Sequence, residues 1–578
     1  MHDSRTWYPG CRLSAALLGI ALMCVIACKS ASPAQQPASG FDDSNQALST
    51  EAQQWLIATA SSGNLPGLRW PNFSDYIQHV NKFYGLNGNS LWWVKGMQPT
   101  PQARQLVAVL QQANRRGLSA DDYDGPRWSD RLAKLKPGVP QPTEMDAAKF
   151  DLALTVCAMR YISDLHIGKV NPKHMEFAFD EEAKKYDLAE FLRNNVTGSN
   201  DVASAVAKVE PPYPGYKRTM QALQEYMELA KSDNGAQLPP LAETLTPGDP
   251  YAGVTQLAKR LQLLGDMPGN ITVSADQSTY NGTLVDGVKA FQRRHGRDPN
   301  GRIDAQTLAD LNVPLSQRVR QMQLTLERWR WLPAPYQGAP VVANIPEFRL
   351  RAYDNNLHVV LTMNVVVGKA YGHHTPVFTD MMEYVVFRPY WEVPPSITHA
   401  ELIPHLTRDP SYLGQKGFQI VDSRQNVVAS GTVSSATLAQ VRSGKLYIRQ
   451  EPGAKNALGR VKFVFPNSYN VYMHDTPSTE FFAKSRRDFS HGCIRLERPA
   501  DLAVWALRDN PGWTQERVQA AMNATATQQV NLTHPIPVLI VYATVVAPED
   551  GLVYFYDDIY GHDAALEKAL AKGYPYPW

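Results

Sequence analysis

Cysteine is scarce in this chain of 578 residues: Cys11, Cys24, Cys28, Cys157 and Cys493 are the whole supply. Five thiols so scattered exclude a disulfide framework and a zinc knuckle. Net charge is equally thin, with 57 basic against 55 acidic residues and no basic patch, which excludes a charge-driven nucleic-acid binder. No HExxH, cysteine pair or acidic-glycine loop occurs, so neither metal nor cofactor is expected. Beyond residue 28 no segment approaches eighteen consecutive apolar residues, and no membrane span is expected in the body. What is present is a 44% apolar content, enough to fold, in a length calling for roughly three or four units.

The first segment accounts for three of the cysteines. Arg5 and Arg12 precede the fifteen-residue apolar run Leu13–Ala27, too short for a membrane span and suited to a signal-peptide core. The run ends in Val25-Ile26-Ala27-Cys28, which resembles a bacterial lipobox. That resemblance implies a lipoprotein signal peptide over 1–28 and a lipid anchor on Cys28. The alternative is an ordinary secretory signal cleaved near Ser30-x-Ser32. Lys29, in place of an aspartate, points to the outer membrane, and Pro/Ala/Ser/Gln-rich residues 29–44 read as a flexible tether.

The body reads as multidomain α+β. Residues 45–235 form a helical domain: Thr100-Pro101 is an N-cap with proline at the first position, leading into QARQLVAVLQQANRRG. A second helix runs from about Thr143 to Leu165 with Phe150, Leu154, Cys157 and Tyr161 on its apolar side, making Cys157 a buried small hydrophobe. Residues 236–250 read as a Pro-rich linker. Residues 251–314 carry Val254, Leu257 and Leu261, then Leu284, Val288 and Phe291, at helical spacing. The ordered pieces Phe291-Gln292, His295-Gly296 and Gly301-Arg302-Ile303-Asp304 resemble the three-helix peptidoglycan-binding domain, with His295 as a helix-end cap. A connecting helix spans 315–337. Residues 338–560 are mainly β, being short runs rich in Val, Tyr, Phe and Ile, with Asp550-Gly551 as a hairpin turn and helices from Pro499 and Thr514. Residues 561–578 are a C-terminal tail.

The chemistry gathers in the β region. Tyr472-Met473-His474-Asp475 is followed, nineteen residues after the histidine, by Cys493 in Ser490-His491-Gly492-Cys493-Ile494-Arg495. A cysteine after glycine at the start of a strand sits on a tight turn, sulfur exposed and amides converging, as acyl transfer requires. A free thiol is only a few per cent ionised at neutral pH and needs an imidazole; His474 and His491 are the candidates.

This spacing resembles the signature of YkuD-type L,D-transpeptidases. RVRQMQLTLERWRWLP, VVFRPYWEVPPSI, NALGRVKFVFPN, YMHDTPS and FSHGCIRLERP are similar to the large Gram-negative periplasmic branch, with its scaffold and peptidoglycan-binding domains. The resemblance implies Cys493 as nucleophile and His474 as general base, its ring oriented by the Asp475 carbonyl. His491 would line the site and stabilise the turn. The Gly492 and Cys493 amides, with the Tyr472 hydroxyl, would form the oxyanion hole. Trp391, Ser490 and Arg495 would bind substrate, Arg495 through a carboxylate where some members have Asn. The stretch 396–458 would be a mobile lid, with His399 and His405, like His373 and His374, on the surface.

The implied reaction joins a tetrapeptide donor stem of peptidoglycan to a diaminopimelate acceptor as a 3–3 cross-link in the periplasm, with carbapenems as inhibitors. L,D-carboxypeptidase, lipoprotein anchoring and a non-catalytic wall-binding scaffold are the alternatives.

Overall fold

A computed structural model describes residues 48–138, 141–179, 184–274, 277–333 and 338–576. The expected signal peptide, the tether and Cys28 lie outside the described residues. Among those described, no helix is long and apolar enough to cross a membrane.

The helical domain begins where its caps place it. The Thr100 hydroxyl accepts from the Ala103 N–H and opens helix Pro101–Gln111, after which a 3-10 turn runs to Gly117 at φ 73°. Thr143 and Asp146 form a capping box at the head of the long helix Glu144–Ile167. That helix is buried nearly all round from Ala147 to Leu165, more than the single apolar side expected of it. Its polar groups find partners: Asp151 accepts from the Tyr84 hydroxyl at 2.8 Å and the Trp93 N–H at 2.6 Å. Cys157 is 1% exposed, and burial pushes its thiol up to about 12, so it is an inert packing residue.

The small module packs helices Val254–Leu263, Thr283–Arg294 and Ala305–Leu311 around Leu257, Leu261, Leu284, Val288 and Phe291. The expected linker belongs to it, because Leu238 and Leu245 join this core and Leu245 pairs with Ile303. His295 ends the second helix as expected, and it also stacks on Phe291 and, across the seam, on Phe555.

The connecting helix Leu315–Trp331 is a central post rather than a simple joint. Thr325, Glu327, Arg328 and Arg330 are buried along it. Glu327 accepts from the Val170 N–H at 3.1 Å in the helical domain, and Arg328 pairs with Asp563 at 2.5 Å near the C-terminus.

The β domain is a sheet in the order Val461–Val464, Met473–His474, Ile494–Leu496, Val359–Gly368, Arg349–Tyr353, Val341–Asn344, Gln528–Val541, Val377–Phe387. The first of these strands also pairs with the last, which closes the sheet on itself. Two parts of this unit were not expected. Phe177–Ala178 of the helical domain adds a strand beside Val377–Phe387. The C-terminal tail is folded: helix His562–Leu570 leads to Tyr574 and Tyr576, 8% and 3% exposed, and the Tyr574 hydroxyl donates to Asp164 of the long helix. Apolar aromatic area at the chain end explains why it docks.

The stretch expected to be a lid is a subdomain with its own core of Leu406, Leu413, Ile420 and Ile448. Its four-stranded sheet is Val427–Ala429, Phe418–Val421, Tyr447–Gln450 and Trp391–Glu392, so it starts at Trp391 rather than at residue 396.

Candidate active site

Strand alternation assembles the site. Met473 and Ile494 face each other across a parallel pair and point into the core, so Tyr472, His474, Cys493 and Arg495 share the other face. Lys462 on the next strand is directly opposite His474 and joins them. Its ammonium lies 3.9 Å from the centre of the Tyr472 ring. From the lid root, Trp391 lies beside the Tyr472 side chain, which in turn neighbours Cys493.

His474 is 4% exposed, and its Nδ1 is 2.5 Å from the Asp475 carbonyl oxygen. A carbonyl only accepts, so Nδ1 carries the proton and Nε2 keeps its lone pair. Burial, then Arg495 and Lys462, lower this imidazole to about 3, leaving it neutral with a free lone pair on Nε2. Asp475 is itself fixed, its carboxylate accepting from the Arg460 and Thr476 N–H groups, both at 2.8 Å.

Cys493 is half-buried. Burial pushes its thiol up, while the Tyr472 N–H and hydroxyl, Lys462 and Arg495 pull it down. The resting pair is therefore neutral thiol and neutral imidazole. The polar neighbours of the sulfur are Tyr472 and the Asn470 carbonyl, 3.8 Å away; His474 is on the adjacent strand without a hydrogen bond to it.

The turn before Cys493 differs from expectation in three respects. Gly492 is needed for its φ of 120°, and its N–H is donated to the Ser490 hydroxyl at 3.1 Å, which takes that amide away from an oxyanion hole. Ser490 is 2% exposed and also donates to the Cys493 carbonyl at 2.6 Å, so it braces the turn and is closed to substrate. His491 reaches out of the turn: its Nε2 meets the Glu401 carboxylate at 2.6 Å, and its ring centre is 4.8 Å from that of His373. The Cys493 N–H has no acceptor among the described residues and remains available. Behind the turn, the Thr375 hydroxyl donates to the Gly492 carbonyl at 2.7 Å.

Arg495 is half-buried, 5.9 Å from the Phe481 ring centre, with no carboxylate at ion-pair distance among the described residues. His373, His374, His399 and His405 are exposed. Sequence reasoning missed Lys462, Glu401, Thr375 and Asn470. For Lys462 a signal existed, since it is the one polar position in VKFVF. Among the described residues no group of three His, Cys, Asp or Glu side chains could hold a metal ion.

Comparison with known proteins bears on this arrangement. The family model described as "L,D-transpeptidase catalytic domain" matches residues 339–519, "Scaffold domain" matches 78–223 and "Putative peptidoglycan binding domain" matches 250–311. A Haemophilus influenzae protein described as "Putative L,D-transpeptidase" is 29% identical over 250 residues, or 43% of this chain. The match spans 49% of that relative, about half its length. An L,D-transpeptidase structure from Xylanimonas cellulosilytica is 16% identical, covering 52% of this chain and 100% of its own, with a TM-score of 0.16. One from Stackebrandtia nassauensis is 12% identical, covering 53% and 97%, with a TM-score of 0.20. On its own residues and these family matches, the chain carries a YkuD-type L,D-transpeptidase catalytic domain at 339–519, joined to a scaffold domain and a peptidoglycan-binding domain.

Proposed function

We propose that this protein forms 3–3 cross-links between peptidoglycan stem peptides through a thioester on Cys493. The observation that supports this most directly is the unprotonated Nε2 of His474 on the same sheet face as the Cys493 thiol. His474 takes the thiol proton as sulfur attacks the carbonyl joining the third stem residue to the terminal D-residue. The oxyanion is met by the Cys493 N–H and by the Tyr472 hydroxyl, which turns from the sulfur once sulfur's charge has passed to the acyl group. Collapse breaks the C–N bond, and the leaving amine takes the proton back from His474. The side-chain amine of a diaminopimelate on a neighbouring stem then attacks the thioester, losing a proton through His474, and thiol is regenerated. Arg495, a cation without a carboxylate partner, suits the donor's carboxylate. Trp391 walls the groove and orients Tyr472.

On this reading the reaction runs in the periplasm, with the chain tethered to the outer membrane by lipid on Cys28, and carbapenems acylate Cys493. The test is mass spectrometry of muropeptides from cells making wild type or Cys493→Ala. The 3–3 dimers are expected only with wild type. Dimers in equal amount from both would overturn the reading in favour of a wall-binding scaffold. Tripeptide stems without dimers would assign hydrolysis, the carboxypeptidase outcome.

A further inference from the structure

A cavity of about 440 Å³ lies at the seam between the small helical module and the β domain, and neither Cys493 nor His474 lines it. Residues 293–299 border it on one side, and 346–349, 482–487 and 554–559 on the other. The volume suits a ligand of a few residues.

Its charge leans positive: six cationic side chains line it against three carboxylates, Asp298, Glu347 and Asp557, the last paired with Arg297. Arg487, lining the cavity, is 8% exposed, and its guanidinium donates to the Lys484, Ser485 and Phe348 carbonyls and the Asn364 amide oxygen. None of these partners carries charge, and its Nε is buried without any partner. Arg349 is 4.0 Å from Glu347, but both oxygens of that carboxylate already hold Arg351, at 2.6 and 2.7 Å. Arg293 and Lys484 are exposed at the rim, with no carboxylate at ion-pair distance among the described residues. A buried cation without an ion-pair partner is costly: burial and then Arg349 lower Arg487 to about 10, against the weaker pull of Glu497 and Glu347 from farther off. The Phe348 ring, centred 5.4 Å from the Arg487 guanidinium, gives the cavity an apolar wall. A planar anion with an organic body satisfies both features, and a guanidinium fork matches a carboxylate.

We propose that this seam is a second binding site, taking a carboxylate of a peptidoglycan stem peptide while another stem lies against Cys493. The identity of the peptide rests on the function proposed above; the preference for a carboxylate does not. Residues 482–487 belong to the segment that links His474 to Cys493, so an occupied seam braces that segment.

The test is hydrogen exchange on the full chain carrying Cys493→Ala, titrated with a stem tetrapeptide and with the same peptide amidated at its carboxylates. The free peptide is expected to slow exchange in 482–487 and 293–299, and the amidated one to leave both unchanged. Arg293→Glu with Lys484→Glu, at exposed positions that spare the fold, should weaken this protection about tenfold or more and leave that at residues 470–474 intact. Protection confined to 470–474, or unchanged by charge reversal, would overturn the site. Inorganic phosphate protecting as well at the same concentration would overturn the peptide assignment. Cross-linking by wild type without protection at 482–487 sinks the seam alone; protection there without cross-linking by wild type sinks the catalytic reading alone.

Discussion

Acid tolerance is the sharpest consequence of the His474 environment. An ordinary imidazole titrating at 6.5 would leave about 3% of molecules with a neutral base at pH 5. Held at about 3, His474 leaves about 99%, a difference of about thirtyfold in competent enzyme. Acylation of Cys493 by a carbapenem, followed by intact mass between pH 4 and 8, should therefore be nearly flat from pH 7 to pH 5. Arg495→Gln removes the larger of the two cations that lower His474, so its acid limb should move up toward 6.5. Stability follows the same linkage. The folded pKa lies below the unfolded one, so the unfolded chain binds the extra proton between them and stability falls as pH drops from 6.5 toward 3. The full loss is about 5 kcal/mol. A wild-type rate that drops tenfold per pH unit below 6.5 would refute a neutral resting imidazole.

Other outcomes follow from single contacts. Tyr472→Phe removes a donor to the sulfur, and alkylation of Cys493 by iodoacetamide at pH 8 should slow about tenfold; an unchanged rate would show that the hydroxyl does not hold the thiolate. Gly459 has φ 61°, and an added Cβ would stand 2.4 Å from the Asp475 carboxylate. Gly459→Ala should cost about 1–2 kcal/mol in backbone strain and lower kcat with little change in KM, because displacing Asp475 turns the His474 ring. Loss of KM alone would place the effect elsewhere. Tyr574→Ala takes a partner from buried Asp164 and opens a cavity, at about 3–5 kcal/mol. Thermal unfolding should drop by several degrees, while Cys493 acylation at 25 °C survives; an unmoved Tm would mean the chain end is not part of the core.

Much of this protein is legible in local sequence. Caps at Thr100 and Thr143 set helix starts because they act within one turn, and Leu284, Val288 and Phe291 bury because they recur at helical spacing. The spacing from His474 to Cys493, with a glycine before the thiol, marked the pair, and the structure sets His474 on a strand and Cys493 immediately before the neighbouring strand of the same sheet. The same reasoning misjudged the turn: amides of Gly492 and Cys493 look equivalent in sequence, and only the Ser490 rotamer commits one and leaves the other.

Thus residue types, helix starts and the candidate pair His474 and Cys493 were legible in the sequence alone, through interactions reaching only a few positions along the chain. Lys462 opposite His474, Glu401 against His491, Tyr574 against Asp164 and the seam around Arg487 were decided by the tertiary structure. Each joins segments far apart in the chain, whose register depends on how the sheet closes and the lid folds back. The low pKa of His474 belongs with them, since burial and two cations from other strands set it.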